Sequence, residues 1–80
     1  MMMSEMVVHK STSFKLLEEI ASQCSAFDSD IYLIKGDRKA DAKDILDLVT
    51  LSLHPDDKIV LIVNGPDAYD VVEIVRILLN

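Results

Sequence analysis

Two histidines, one cysteine and several grouped carboxylates are the side chains here that could carry chemistry. His9 ends a short apolar segment and reads as a strand-end histidine, while His54 opens the turn His54-Pro55-Asp56-Asp57. Cys24 has no second cysteine to pair with, so an internal disulfide and a multi-cysteine metal site are both ruled out. It lies beside Ile20 and Ala21 in a helical pattern, which points to a packed small hydrophobe rather than a reactive thiol. The acids fall at Asp28/Asp30, at Asp41/Asp44/Asp47 and at Asp56-Asp57. None has the alternating ligands, central glycine and closing glutamate of a calcium loop, so they read as solvated turns and helix caps. Gly36 and Gly65 stand alone, so there is no phosphate-cradling glycine loop. Nothing here assembles a catalytic set, and the sequence calls for no metal and no cofactor.

Eighty residues suit one domain, covering 1–80, with a modest core. Half the residues are apolar, which fits a compact fold rather than disorder. The longest apolar runs, 59–63 and 71–79, are too short to span a bilayer. The start MMMSEM lacks the basic and apolar regions of a secretion signal, so a cytoplasmic location is expected. Fourteen acids against eight bases give a net charge of −6. That excludes nucleic acid and anionic membrane as partners, since both need clustered Lys and Arg. A protein partner of basic or mixed charge is compatible with it.

The elements that would position these groups can be read in order. A short strand is expected over 5–9. Ser11, Thr12 and Ser13 can cap a helix over 14–25, whose apolar residues Phe14, Leu17, Ile20, Ala21 and Cys24 recur at helical spacing. A strand over 31–35, a two-residue turn at Gly36-Asp37 and a return strand over 38–42 make a hairpin. Asp44 then caps a short helix over 45–51, with Asp47 three residues on, where free amides and the helix dipole favour acids. A strand over 58–63 and a helix over 67–79 complete the order βαββαβα. His54-Pro55-Asp56 also spells the HPD triplet of J-domain co-chaperones. That triplet should join two long helices, and here a strand, KIVLIV, follows, so it reads as a chance turn. Short links between units favour an α+β open-faced sandwich, a four-stranded antiparallel sheet with three helices on one face. Another split βαβ module of ferredoxin-like type is the alternative.

The segment RKADAKDILDLVTLSL, from Arg38 to Leu53, resembles the middle of HPr, the small phosphocarrier of the bacterial sugar phosphotransferase system. The likeness extends without gaps from Phe14 to Asn80, with Phe27 standing where that family has an aromatic after its first helix. HPr carries a phosphoryl group on a histidine at the start of its first helix, within G-L-H-T-R-P-A. Counting back from Phe27 sets Ser13 at the histidine, Lys15 at the arginine and Leu16 at the proline. Asp44 falls where many members have a serine that a regulatory kinase phosphorylates. The resemblance therefore implies a relative that has lost its nucleophile, and some HPr relatives without the histidine act only as regulators. In the family the second helix supplies the apolar part of a docking face. The corresponding residues are Ile45, Leu46 and Val49, rimmed by Lys15, Lys43, Asp44 and Asp47. The expectation is a protein-binding regulator, not an enzyme, whose partners are phosphotransferase-system components or a carbon-regulation protein. The alternatives are a carrier phosphorylated at His9 or Ser13, and a structural or ligand-binding domain that keeps only the fold.

Overall fold

The computed structural model describes residues 1–80. The elements run β1 (Met2–Val7), α1 (Phe14–Ser25), β2 (Asp30–Lys35), β3 (Arg38–Asp41), α2 (Ile45–Val49), β4 (Lys58–Asn64) and α3 (Ala68–Leu79). The strands form one sheet in the order β1-β4-β2-β3, and every neighbouring pair is antiparallel. This is the HPr-like βαββαβα sandwich, with three helices against one face.

The pleat explains why one face is covered. In β2 the residues Ile31 and Leu33 are buried, in β4 Ile59, Leu61 and Val63, and in β3 Ala40. Register brings Leu61 beside Leu33 and Leu33 beside Ala40, so these side chains share a face. Leu17, Ile20, Ala21 and Cys24 of α1 and Val71, Val72, Val75 and Leu79 of α3 pack into the same core, with Leu48 from α2. No helix is long and apolar enough to cross a membrane.

Two elements differ from the sequence expectation by more than one residue. The first strand is set earlier, because its partner fixes it: Met2 through Val7 pair with Val63 through Lys58. Val8 and His9 then leave the ladder, their amides donating to the carbonyls of Asp57 and Leu79 at 2.9 Å each. The second helix stops at Val49 rather than at 51. Beyond it, Ser52 takes a left-handed conformation, φ 49°.

The loop that follows α1 and the segment that caps α3 meet at a compact lock. Ser29, fully buried, accepts a hydrogen bond from the Asp67 amide (3.0 Å), and its hydroxyl lies 3.5 Å from the Asp67 carboxylate. That carboxylate also accepts from the Asp28 amide (3.1 Å). Gly65 makes this approach possible: its φ is +146°, and an added Cβ would lie 2.7 Å from the Ser29 Cα. Gly65→Ala should therefore lower unfolding free energy by about 2–3 kcal/mol in denaturant titrations. Gly36→Ala, with open space around it, should cost less, limited to the strain of its positive φ (62°).

Candidate functional site

Ser13 is the N-cap of α1, its extended backbone (ψ 162°) turning the side chain back so that Oγ accepts from the Leu16 amide at 3.1 Å. Lys15, in the first turn, is exposed, and that turn contains no acid. The helix start therefore offers positive potential to an anion. Thr12 ties this end to a distant part of the chain, its hydroxyl donating to the Leu53 carbonyl.

The 50–54 segment is held from several directions. Arg38 donates to the Thr50 carbonyl (3.1 Å) and Lys35 to the Ser52 carbonyl (2.6 Å). These cations satisfy carbonyls that the end of α2 leaves unpaired. Lys35 also forms an ion pair with Asp57 (2.9 Å), whose carboxylate accepts from the His54 amide (2.7 Å). The hydrogen bond from Lys35, and next that from the His54 amide, hold the Asp57 carboxyl below the usual carboxylate range.

Between the α1 start and this segment lies a shallow groove of about 300 Å³, lined by Thr12, Phe14, Val49, Leu53 and His54 among others. Phe14 is 58% exposed, Val49 44% and Leu46 72%. Leu46 and Val49 are three residues apart on α2 and so share a side of that helix. Asp44 caps α2 with one oxygen only: Oδ1 accepts from the Leu46 amide (3.0 Å) and the Asp47 amide (3.3 Å). Its Oδ2 has no partner within the chain, and the residue is exposed.

Several expected rim residues are committed elsewhere. Ile45 is half-buried and packs against the core, so the apolar patch on α2 reduces to Leu46 and Val49. Asp47 turns inward, where its carboxylate accepts from the Asp41 amide at 2.7 Å. Lys43 reaches the Phe27 carbonyl at 2.8 Å. Lys15 and Asp44 remain as the free charges. His9 is not part of the groove. It lines a separate hollow with Arg76 and Leu79 at the end of α3.

The sequence reading missed two groove residues. Phe14 sits three residues before Leu17 and so reads as core by spacing. At the helix start, however, the ring lies exposed over the groove, while Leu16 and Leu17 beside it reach the core. His54 reads as an incidental turn residue, and no local signal shows that Thr12 draws its neighbour Leu53 toward α1. Cys24 is buried, and its thiol is pushed up to about 11 by that burial, with Lys43 pulling weakly the other way. It stays protonated and unreactive at neutral pH.

The family model described as the PTS HPr component phosphorylation site matches residues 15–80. Among solved structures, an HPr from Thermoanaerobacter tengcongensis superposes with a TM-score of 0.90 at 20% identity, covering 99% of this chain and 91% of that one. The phosphocarrier protein HPr of Bacillus anthracis gives 0.84 at 20% identity, covering 98% of each chain. The Bacillus subtilis catabolite repression containing protein Crh, described as a swapped, intertwined dimer, gives 0.71 at 25% identity, covering 81% of this chain and 75% of that one. No curated protein matches the chain.

The geometry around Asp57 has a pH consequence. Its folded-state pKa is depressed, so the stability it contributes is present at neutral pH and is lost as pH falls through the folded value. In an NMR titration, the His54 amide resonance should move with the Asp57 carboxyl, at a midpoint below that of an unhindered aspartate. Asp57→Asn should abolish that movement.

Proposed function

The chain belongs to the HPr family of the bacterial sugar phosphotransferase system, and from that premise we propose that it is a protein-binding regulator rather than a phosphoryl carrier. The whole of 1–80 acts as one domain, working in the cytoplasm. Ser13 occupies the place of the family's nucleophilic histidine, and its hydroxyl oxygen is engaged in capping α1. A serine phosphate is a stable ester, far poorer at onward transfer than a phosphorylated imidazole. Lys15 keeps the positive charge of the family's arginine without the bidentate fork.

The observation that carries this reading is Asp44. One carboxylate oxygen caps α2, and the other stays free beside exposed Leu46. Such an acid supplies permanent negative charge where other family members acquire it by phosphorylation. A carboxylate carries about half the charge of a phosphoserine, so the mimicry is partial. The partner's site should offer a basic group for Asp44 and an apolar surface for Phe14, Leu46 and Val49. Crh, whose name records catabolite repression, suggests a partner from carbon regulation.

Asparagine caps a helix as well as aspartate does but carries no charge. Asp44→Asn should therefore leave unfolding free energy within about 0.5 kcal/mol of wild type. It should also weaken binding to a partner captured on the wild-type chain by about five-fold or more, as expected for losing a charge-assisted hydrogen bond. Asp44→Lys should weaken it further. Equal affinity for the Asn form would reduce Asp44 to a cap.

A further inference from the structure

The face of the sheet away from the helices is unusually apolar. Register sets two of its rows: Glu5, Val60, Ile34 and Lys39 lie side by side, and next to them Met3, Ile62, Tyr32 and Asp41. Val60, Ile34, Ile62 and Tyr32 are half-buried by their lateral neighbours, yet none packs against the core. Met3, at the β1 edge, is 63% exposed. Val7 extends the apolar surface, and the largest hollow of the molecule, about 550 Å³, opens here against Glu5, Val7, Ile34 and Val60. This face carries Glu5, Asp30 and Asp41 against Lys39 and Lys58, a net −1, although the chain as a whole carries −6. Self-repulsion is therefore weakest on this side.

We propose that this face docks a second copy of the chain, about a twofold axis parallel to the strands and lying between β4 and β2. Such an axis lays β4 over the partner's β2, and β1 over its β3, within the same rows. Val60 then meets Ile34, Ile62 meets Tyr32, and Glu5 at one edge meets Lys39 at the other, twice per dimer. Glu5 and Lys39 are thus complementary under this operation, while Asp41 meets Met3 and Asp30 meets Asn64, so no like charges are set opposite each other. Within one chain Glu5 and Lys39 lie three strand spacings apart, about 14 Å, too far to pair. Lys39 already lies over the Tyr32 ring, 4.2 Å from its centroid, and this braces its stem along the face. The result is an eight-stranded sandwich with sheets about 10 Å apart. Four strands of about six residues offer roughly 400 Å² per copy. That is less than stable interfaces bury, so the dimer should be weak, with a dissociation constant on the order of 0.1 mM.

Sedimentation of the full chain at physiological salt, up to about 1 mM, tests this. A monomer–dimer equilibrium is expected for wild type. Ile62→Lys should weaken it about ten-fold or more by placing a charge in the apolar centre. Ile62→Thr, which retains a β-branched side chain, should weaken it less, and circular dichroism will show that both variants fold. Glu5→Lys alone should weaken it about five-fold, setting like charges opposite each other. Adding Lys39→Glu should restore it to about the wild-type value, because the swapped pair re-forms across the axis. A chain that stays monomeric at the highest concentration overturns the proposal. So does a dimer indifferent to Ile62→Lys, which would point to strand exchange or edge pairing, or a charge swap that fails to restore association.

Discussion

The candidate binding face depends on three carbonyl groups at the exit of α2. Thr50, Ser52 and Leu53 would otherwise leave their carbonyls without helical partners, and each is taken by a donor from elsewhere: Arg38, Lys35 and Thr12. Two donors come from the β2–β3 hairpin, and the third precedes α1. The short helix is therefore fastened to both the sheet and the first helix. A five-residue helix has little stability of its own. Without these bonds Val49 and Phe14 would not share a groove, and Asp44 would cap a helix with no fixed place. Each bond is worth only about 1 kcal/mol net, but together they determine which side chains face outward.

The elements that announce themselves locally were legible in the sequence. The first helix has the expected bounds, Phe14–Ser25, because its cap and apolar spacing lie within the segment itself. Gly36 takes its positive φ at the hairpin turn for the same reason, and Asp44 caps α2 as its position implies. The boundaries that shifted are those settled by a distant partner. Nothing in MMMSEM marks it as a strand until β4 lies beside it, and beyond the early end of α2 the carbonyls of Thr50, Ser52 and Leu53 are taken by Arg38, Lys35 and Thr12 from elsewhere in the chain.

The site follows the same division. Leu46 and Val49 are exposed and Leu48 and Leu51 are buried, a split that helical geometry allows to be foreseen. Ile45, Asp47 and Lys43 could not be sorted this way, since their neighbours are the core, the Asp41 amide and the Phe27 carbonyl. Phe14 misled in the opposite sense: periodicity puts it with the core stripe, but its ring is exposed over the groove while Leu17, three residues on, is buried. Periodicity tells which way a side chain points along its helix. It does not tell how far the covering layer extends.

On the proposed reading, the HPr framework here keeps its two helix starts and its docking surface while the group that would carry phosphate is gone. Charge at the second helix is then constant rather than switched, and recognition rests on Asp44 with the apolar residues around it. The most direct measurement is incubation of the chain with phosphoenolpyruvate and the first enzyme of the phosphotransferase system, read by intact mass spectrometry beside an active HPr. The account predicts phosphorylation of the active HPr and none of this chain. A phosphorylated chain, whether modified at Ser13, His9 or His54, would contradict it and make the protein a carrier after all.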